Sequence, residues 1–169
     1  MKRSIIYFVI IAGMLACSNP QKKITDKVNK LETEVREKFS AEKAKELINT
    51  YNQYIEKYPT DSTSRLFMAK GTEMSILNND PESALHFINL FLKQFPNDTK
   101  AGLMQFKKAM VYDLLINDQL RAIAEYETFI KKYPDDPMRK EAENAIILLQ
   151  NPEDFMKSLQ SAADTSASK

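Results

Sequence analysis

Few side chains in this 169-residue chain could do chemistry, and those few stand alone. There is one cysteine, Cys17, and one histidine, His86, so no intrachain disulfide, cysteine-built zinc cluster or multi-histidine metal site can form. A serine nucleophile would need a histidine base within hydrogen-bond reach. His86 lies two residues past Ala84, off the face that Ala84, Ile88 and Phe91 would bury, which makes it a solvated surface residue. A phosphate-cradling loop needs clustered glycines, and the three present, Gly13, Gly71 and Gly102, lie far apart. The acid pair Asp135-Asp136 falls where a helix begins, and capping and the helix dipole account for it. The residues therefore point to no enzyme, no cofactor and no metal.

Cys17 differs from the rest because of its setting. Met1-Lys2-Arg3 is a short basic start, and Ile5 to Ala16 is an apolar run of twelve residues. A membrane-crossing helix needs about twenty, so the run suits the core of a cleaved export signal. It ends Gly13-Met14-Leu15-Ala16-Cys17-Ser18. This ending resembles the bacterial lipobox, with Ala16 and Cys17 fitting the pattern and Met14 and Leu15 departing from its commonest residues. The resemblance implies that residues 1–16 are removed and that Cys17 is acylated as the new N-terminus. Acyl chains at about 0.8 kcal/mol per buried methylene would then hold the protein on a bilayer. By resemblance to lipoprotein sorting, Ser18 in place of an aspartate implies the outer membrane, facing the periplasm.

Charge narrows the partners. Of 24 basic residues Lys2 and Arg3 fall in the signal, leaving 22 against 23 acidic ones. Nucleic-acid binding draws on a basic surplus that displaces phosphate counterions, so nucleic acid is not an expected partner. Lys22-Lys23, Lys107-Lys108 and Lys131-Lys132 read as solvated helix faces.

The elements that position these residues follow from a repeated phrase. Tyr54 to Asp61 reads YIEKYPTD, Phe91 to Asp98 FLKQFPND, and Phe129 to Asp136 FIKKYPDD, with the prolines 37 and then 38 residues apart. The same 38-residue step takes Gly71 to Ala109, Met74 to Tyr112, Ala84 to Ala122, Ile88 to Tyr126 and Phe91 to Phe129. Such self-similarity marks stacked helix pairs. Asp80-Pro81, Asp136-Pro137 and Asn151-Pro152 supply a capping side chain followed by a proline at the first turn. Helices are expected at about 22–38, 41–57, 62–77, 81–94, 99–116, 119–132, 137–149 and 152–162. The fold class is all-α, a right-handed solenoid of antiparallel helix pairs. Residues 17–23 form the acylated N-terminus and linker, 24–162 the repeat domain, and 163–169 a tail without apolar anchors, expected to be disordered.

The pattern resembles the tetratricopeptide repeat: a small residue midway along the first helix (Gly71, Ala109), an alanine early in the second (Ala84, Ala122), a large residue four later (Ile88, Tyr126) and a closing proline (Pro96, Pro134). The long period and the aromatic–proline endings look most like a BamD-like and Tol–Pal periplasmic subgroup. The resemblance covers about residues 41–150. Leu47 stands where the other phrases have alanine, and residues 22–38 match no first helix of the repeat well.

From this follows a protein-binding scaffold in a cell-envelope assembly complex. The first helix of each pair is expected to line a concave face, with Arg65, Met68, Thr72, Ser75, Leu103, Phe106, Met110 and Asp113 directed into it; Met68, Phe106 and Met110 read equally as core between repeats. Two alternatives remain open. One is a self-associating module, in which the stripe Ile24, Val28, Leu31 and Val35 pairs chains instead of packing on the first repeat. The other is a binder of cell-wall fragments or small ligands, which the absence of tryptophan disfavours.

Overall fold

The computed structural model describes residues 19–153 and Lys157; the expected signal peptide, Cys17, most of the helix expected at 152–162 and the tail lie outside the described residues. Among the described residues seven α-helices follow one another: α1 Pro20–Glu37, α2 Ala41–Lys57, α3 Ser62–Leu77, α4 Pro81–Gln94, α5 Ala101–Met110, α6 Gln119–Lys132 and α7 Arg139–Gln150. A π-helical turn, Val111–Ile116, continues α5. Each helix packs chiefly on its neighbours in sequence. The result is the tetratricopeptide-like helical solenoid, with α1, α3, α5 and α7 as first helices and α2, α4 and α6 as second helices.

The repeated phrase is a turn. The carboxylates of Asp61, Asp98 and Asp136 accept from the backbone N–H two residues on, at 2.7, 2.8 and 2.9 Å. Their own N–H groups donate to the carbonyls of Tyr58, Phe95 and Tyr133 at 3.1, 3.1 and 3.2 Å. One aspartate thus closes a second helix and opens the next first helix, three times over. The opposite turns use another device. Asn79 and Asn117 take φ of 54° and 59°, a left-handed conformation that asparagine tolerates better than most residues. The next residues, Asp80 and Asp118, cap Ser83 and Arg121. Asn19 and Ser40 cap α1 and α2.

Between the turns the 38-residue step is a packing rule. Ala84, Ala122, Ile88, Phe91 and Phe129 are fully buried and Tyr126 nearly so. Gly71 is needed where it stands, because a Cβ there would lie 2.7 Å from Cε2 of the buried Phe87 ring. Its counterpart Ala109 carries that Cβ because the residue 38 positions after Phe87 is Glu125, which turns to Lys108 (2.8 Å) and Gln105 (2.7 Å).

Two expectations need correction. The helix expected at 99–116 is α-helical only to Met110, and its last turn is wide. That turn extends to Ile116, taking in the position that Asn78 holds as a loop residue after α3, so Asn117 alone precedes the cap. The stripe on α1 is spent inside the chain: Val28, Leu31 and Val35 are buried, and Ile24 packs against the same core. It is therefore not free to pair two chains, as the self-association reading required.

Candidate partner-binding groove

Of the eight residues expected to face a groove, the structure places three wholly in the interior and packs two more against the core. Met68, Thr72 and Ser75 are fully buried. Helix α3 is gripped by α2 on one side and α4 on the other, so the stripe through Ser64, Met68, Gly71, Thr72 and Ser75 is interior. Two of its hydroxyls are satisfied within the chain: Thr72 donates to the Met68 carbonyl at 2.9 Å and Ser64 to the Tyr58 carbonyl at 2.6 Å. Arg65 is half-exposed and donates to Asp98 at 2.7 Å, tying the start of α3 to the turn after α4. The N–H of Lys100 and then the Arg65 guanidinium hold the Asp98 carboxyl below the usual range.

The four candidates further along are half-buried. Phe106 packs edge-on against Tyr126 and Phe129, at 5.5 and 5.4 Å between ring centres, and Met110 joins the same cluster, so both act as core. Leu103 is partly open. Asp113, in the π-helical turn, accepts from the Tyr126 hydroxyl at 3.3 Å, and burial raises its pKa.

An open groove of about 540 Å³ lies elsewhere, between α1 and α3 with Tyr51 of α2 lining it. Val35, Phe39, Met74 and Leu77 supply apolar walls, and Phe39 is 48% exposed. A charged bridge crosses between the two helices. Lys70 Nζ donates to both oxygens of Glu32 at 2.8 and 2.9 Å, and the Tyr51 hydroxyl donates to Glu32 Oε1 at 2.7 Å. Burial first, and the Glu32 carboxylate second, push the Tyr51 pKa up, so its phenol stays a donor. Glu73 is engaged by Lys107 of α5 at 3.0 Å. A smaller hollow of about 300 Å³ between α2 and α4 holds His86, whose Nε2 lies 3.0 Å from Asn52 Oδ1.

The sequence did carry a signal for this groove. Glu32, Lys70 and Lys108 stand 38 residues apart, as do Phe39, Leu77 and Leu115. On α3, Lys70, Glu73, Met74 and Leu77 recur at helical spacing on the face opposite the small residues. Among the described residues no cluster of three or more His, Cys, Asp or Glu could hold a metal ion, and no helix is long and apolar enough to cross a membrane. What the site offers is apolar area, hydrogen bonds and charge.

Comparison with known families finds one tetratricopeptide repeat, matched over residues 104–136. The match runs from the middle of α5 through α6 to the aspartate turn, and takes in Ala109, Ala122, Tyr126, Phe129 and Pro134. No curated protein matches the chain. The chain thus contains a tetratricopeptide repeat, a unit whose general role is to bind other proteins.

Proposed function

We propose that this chain is a lipoprotein of the outer membrane, anchored through acylated Cys17, whose repeat slab faces the periplasm and docks proteins of a cell-envelope assembly complex. The observation that carries the docking role is the groove between α1 and α3: large apolar side chains stand open beside an ordered charged bridge, on a solenoid whose repeat type binds proteins. The lipobox-like ending at Cys17 supports the anchor, and helix α1 begins only three residues beyond it, which would set the slab against the membrane surface. The 37- and 38-residue spacing and the Tyr58-Pro59, Phe95-Pro96 and Tyr133-Pro134 endings support kinship with BamD-like and Tol–Pal repeat proteins. In this reading the role is binding and not catalysis, and the domain needs no cofactor.

The anchor is tested by growth with an alkyne fatty acid and mass spectrometry of the mature N-terminus. Label on Cys17, and release from membranes on Cys17→Ser, are expected; an unmodified terminus at any other residue refutes the anchor. The scaffold is tested by crosslinking intact envelopes and quantifying what co-purifies. Defined proteins in stoichiometric amount are expected, and recovery of abundant porins alone counts against it.

A further inference from the structure

Eight large apolar side chains are exposed among the described residues, and all but Leu66 lie where a first helix ends or the second begins. Leu77 and Leu120 are the most open, at 63% and 83%. Since α1, α3, α5 and α7 run in one direction, these positions share one edge of the solenoid. Single exposed apolar residues need no explanation, but a concentration along one edge does. The start of α1 lies at the opposite edge, where the Gln21 side chain donates to the Tyr54 hydroxyl near the end of α2. A chain tethered ahead of α1 therefore presents the apolar edge away from the tether.

The groove opens onto this edge through Phe39 and Leu77. Its acids are committed, Glu32 to Lys70 and Tyr51, and Glu73 to Lys107. Among the described residues its cation Arg36 has only a 3.5 Å contact with the Thr33 hydroxyl. An apolar hollow with one uncommitted guanidinium is complementary to an apolar side chain flanked by an acid.

We propose that this groove seats an amphipathic helical segment of another protein, with a large apolar side chain between Phe39, Met74 and Leu77 and a carboxylate on Arg36. The inference rests on the protein-binding reading above and adds to it the chemistry of the partner and the direction from which it approaches. A helix fits because the groove runs between two helices and is walled at helical spacing, the arrangement in which anchors at i, i+3, i+4 and i+7 are read.

The test titrates fluorescent three-turn peptides into the purified full chain and reads polarisation. One peptide has leucines at helical spacing flanked by glutamates, one has lysines for the glutamates, and one has serines for the leucines. Saturable binding of the acidic peptide is expected, with the lysine peptide ~3–5-fold weaker, the size of one exposed ion pair, and the serine peptide inert. Leu77→Asp abolishes binding without changing the helical circular dichroism, since the side chain is exposed. Arg36→Glu reverses the preference to the lysine peptide, and Leu66→Ser, away from the groove, leaves it unchanged. Absence of binding, equal binding of the two charged peptides, or indifference to Leu77→Asp overturns the proposal. A dimer in sedimentation that Leu77→Asp dissolves assigns the groove to a second copy and also overturns it. The Cys17 label and the envelope crosslinks are separate readouts, so the anchored-scaffold reading and this inference fail independently.

Discussion

Replacing Gly71 with alanine sets two well-measured effects against each other. In a helix interior, alanine is favoured over glycine by about 1 kcal/mol. At Gly71 the new methyl would meet three ring atoms of Phe87 at 2.7, 2.8 and 2.9 Å. Carbon atoms rest at about 3.5–4.0 Å, so the ring or the helix must give way by about 1 Å. Phe87 is 1% exposed and packed in the core cluster, with the hollow between α2 and α4 on one side of it. Overpacking of this kind costs about 1–3 kcal/mol, leaving a net loss of about 0–2 kcal/mol. Urea unfolding followed by circular dichroism reads it directly, and a loss of 1 kcal/mol lowers Tm by about 2–4 °C for a domain of this size. The decisive measurement is the cycle with Phe87→Leu. With the ring gone, Gly71→Ala should become stabilising by about 1 kcal/mol, giving a coupling of about 1–3 kcal/mol. If Gly71→Ala stabilises the parent chain, or acts identically in both backgrounds, the close approach of α3 to α4 is not what makes glycine necessary.

Other substitutions probe the remaining devices. Ser75→Ala should leave stability unchanged or raise it by up to about 1 kcal/mol, because the buried Ser75 hydroxyl has no hydrogen-bond partner among the described residues; a clear loss by thermal denaturation refutes this. Asn117→Ala should cost about 1 kcal/mol, since alanine pays the left-handed penalty at φ 59°, while Asn117→Gly should cost nothing; equal unfolding midpoints for the two variants would contradict it. Asp98 has a depressed folded pKa, so its contribution is present above the unfolded value near 3.9 and is lost as pH falls through the folded one. Asp98→Asn should therefore flatten the acid limb of stability against pH. Asp113 has the opposite sign, because burial raises its folded pKa and ionisation costs stability as pH rises. Asp113→Asn, which can still accept from Tyr126, should be neutral or stabilising at neutral pH, and a lower Tm there would refute the assignment.

The second helices were legible because each packs by a face that repeats: Ala84 and Ala122, Ile88 and Tyr126, and Phe91 and Phe129 recur in type and place, and the structure buries every one of them. Leu47 takes the alanine position in α2 and is buried as well. The wide turn after Met110 has no marker in residue type, since Val111 to Ile116 would sit equally well in a continued α-helix. Of the α3 candidates Arg65 is half-exposed, whereas Met68, Thr72 and Ser75 are interior because α3 has neighbours on both sides. The faces towards α2 and α4 together take Phe67, Met68, Gly71, Thr72 and Ser75, leaving only a narrow strip for solvent.

That narrow strip changes how a sequence of this kind should be read for function. In a first helix held on both sides, small and hydroxyl residues mark close contact, as Gly71 against Phe87 and Thr72 against the Met68 carbonyl show. Long residues at a shared period mark the open side. Glu32, Lys70 and Lys108 recur at the same step as the core, yet the charge switches from acidic at 32 to basic at 70 and 108, which a pure packing rule would not require. The Glu32–Lys70 bridge lies over Tyr51 and leaves Val35 and Met74 as apolar walls. Lys108 instead turns to Glu125, so the same position in the next repeat braces α5 against α6. One period therefore supports two uses, closing the fold at 108 and bridging the walls of a groove at 32 and 70. Lys70→Met separates them: it should cost no more than about 1 kcal/mol of stability, as befits a partly exposed pair, while freeing Glu32 to compete for Arg36 and weakening the acidic peptide. A Lys70→Met chain that binds the acidic peptide as tightly as the parent would show that the bridge has no part in recognition.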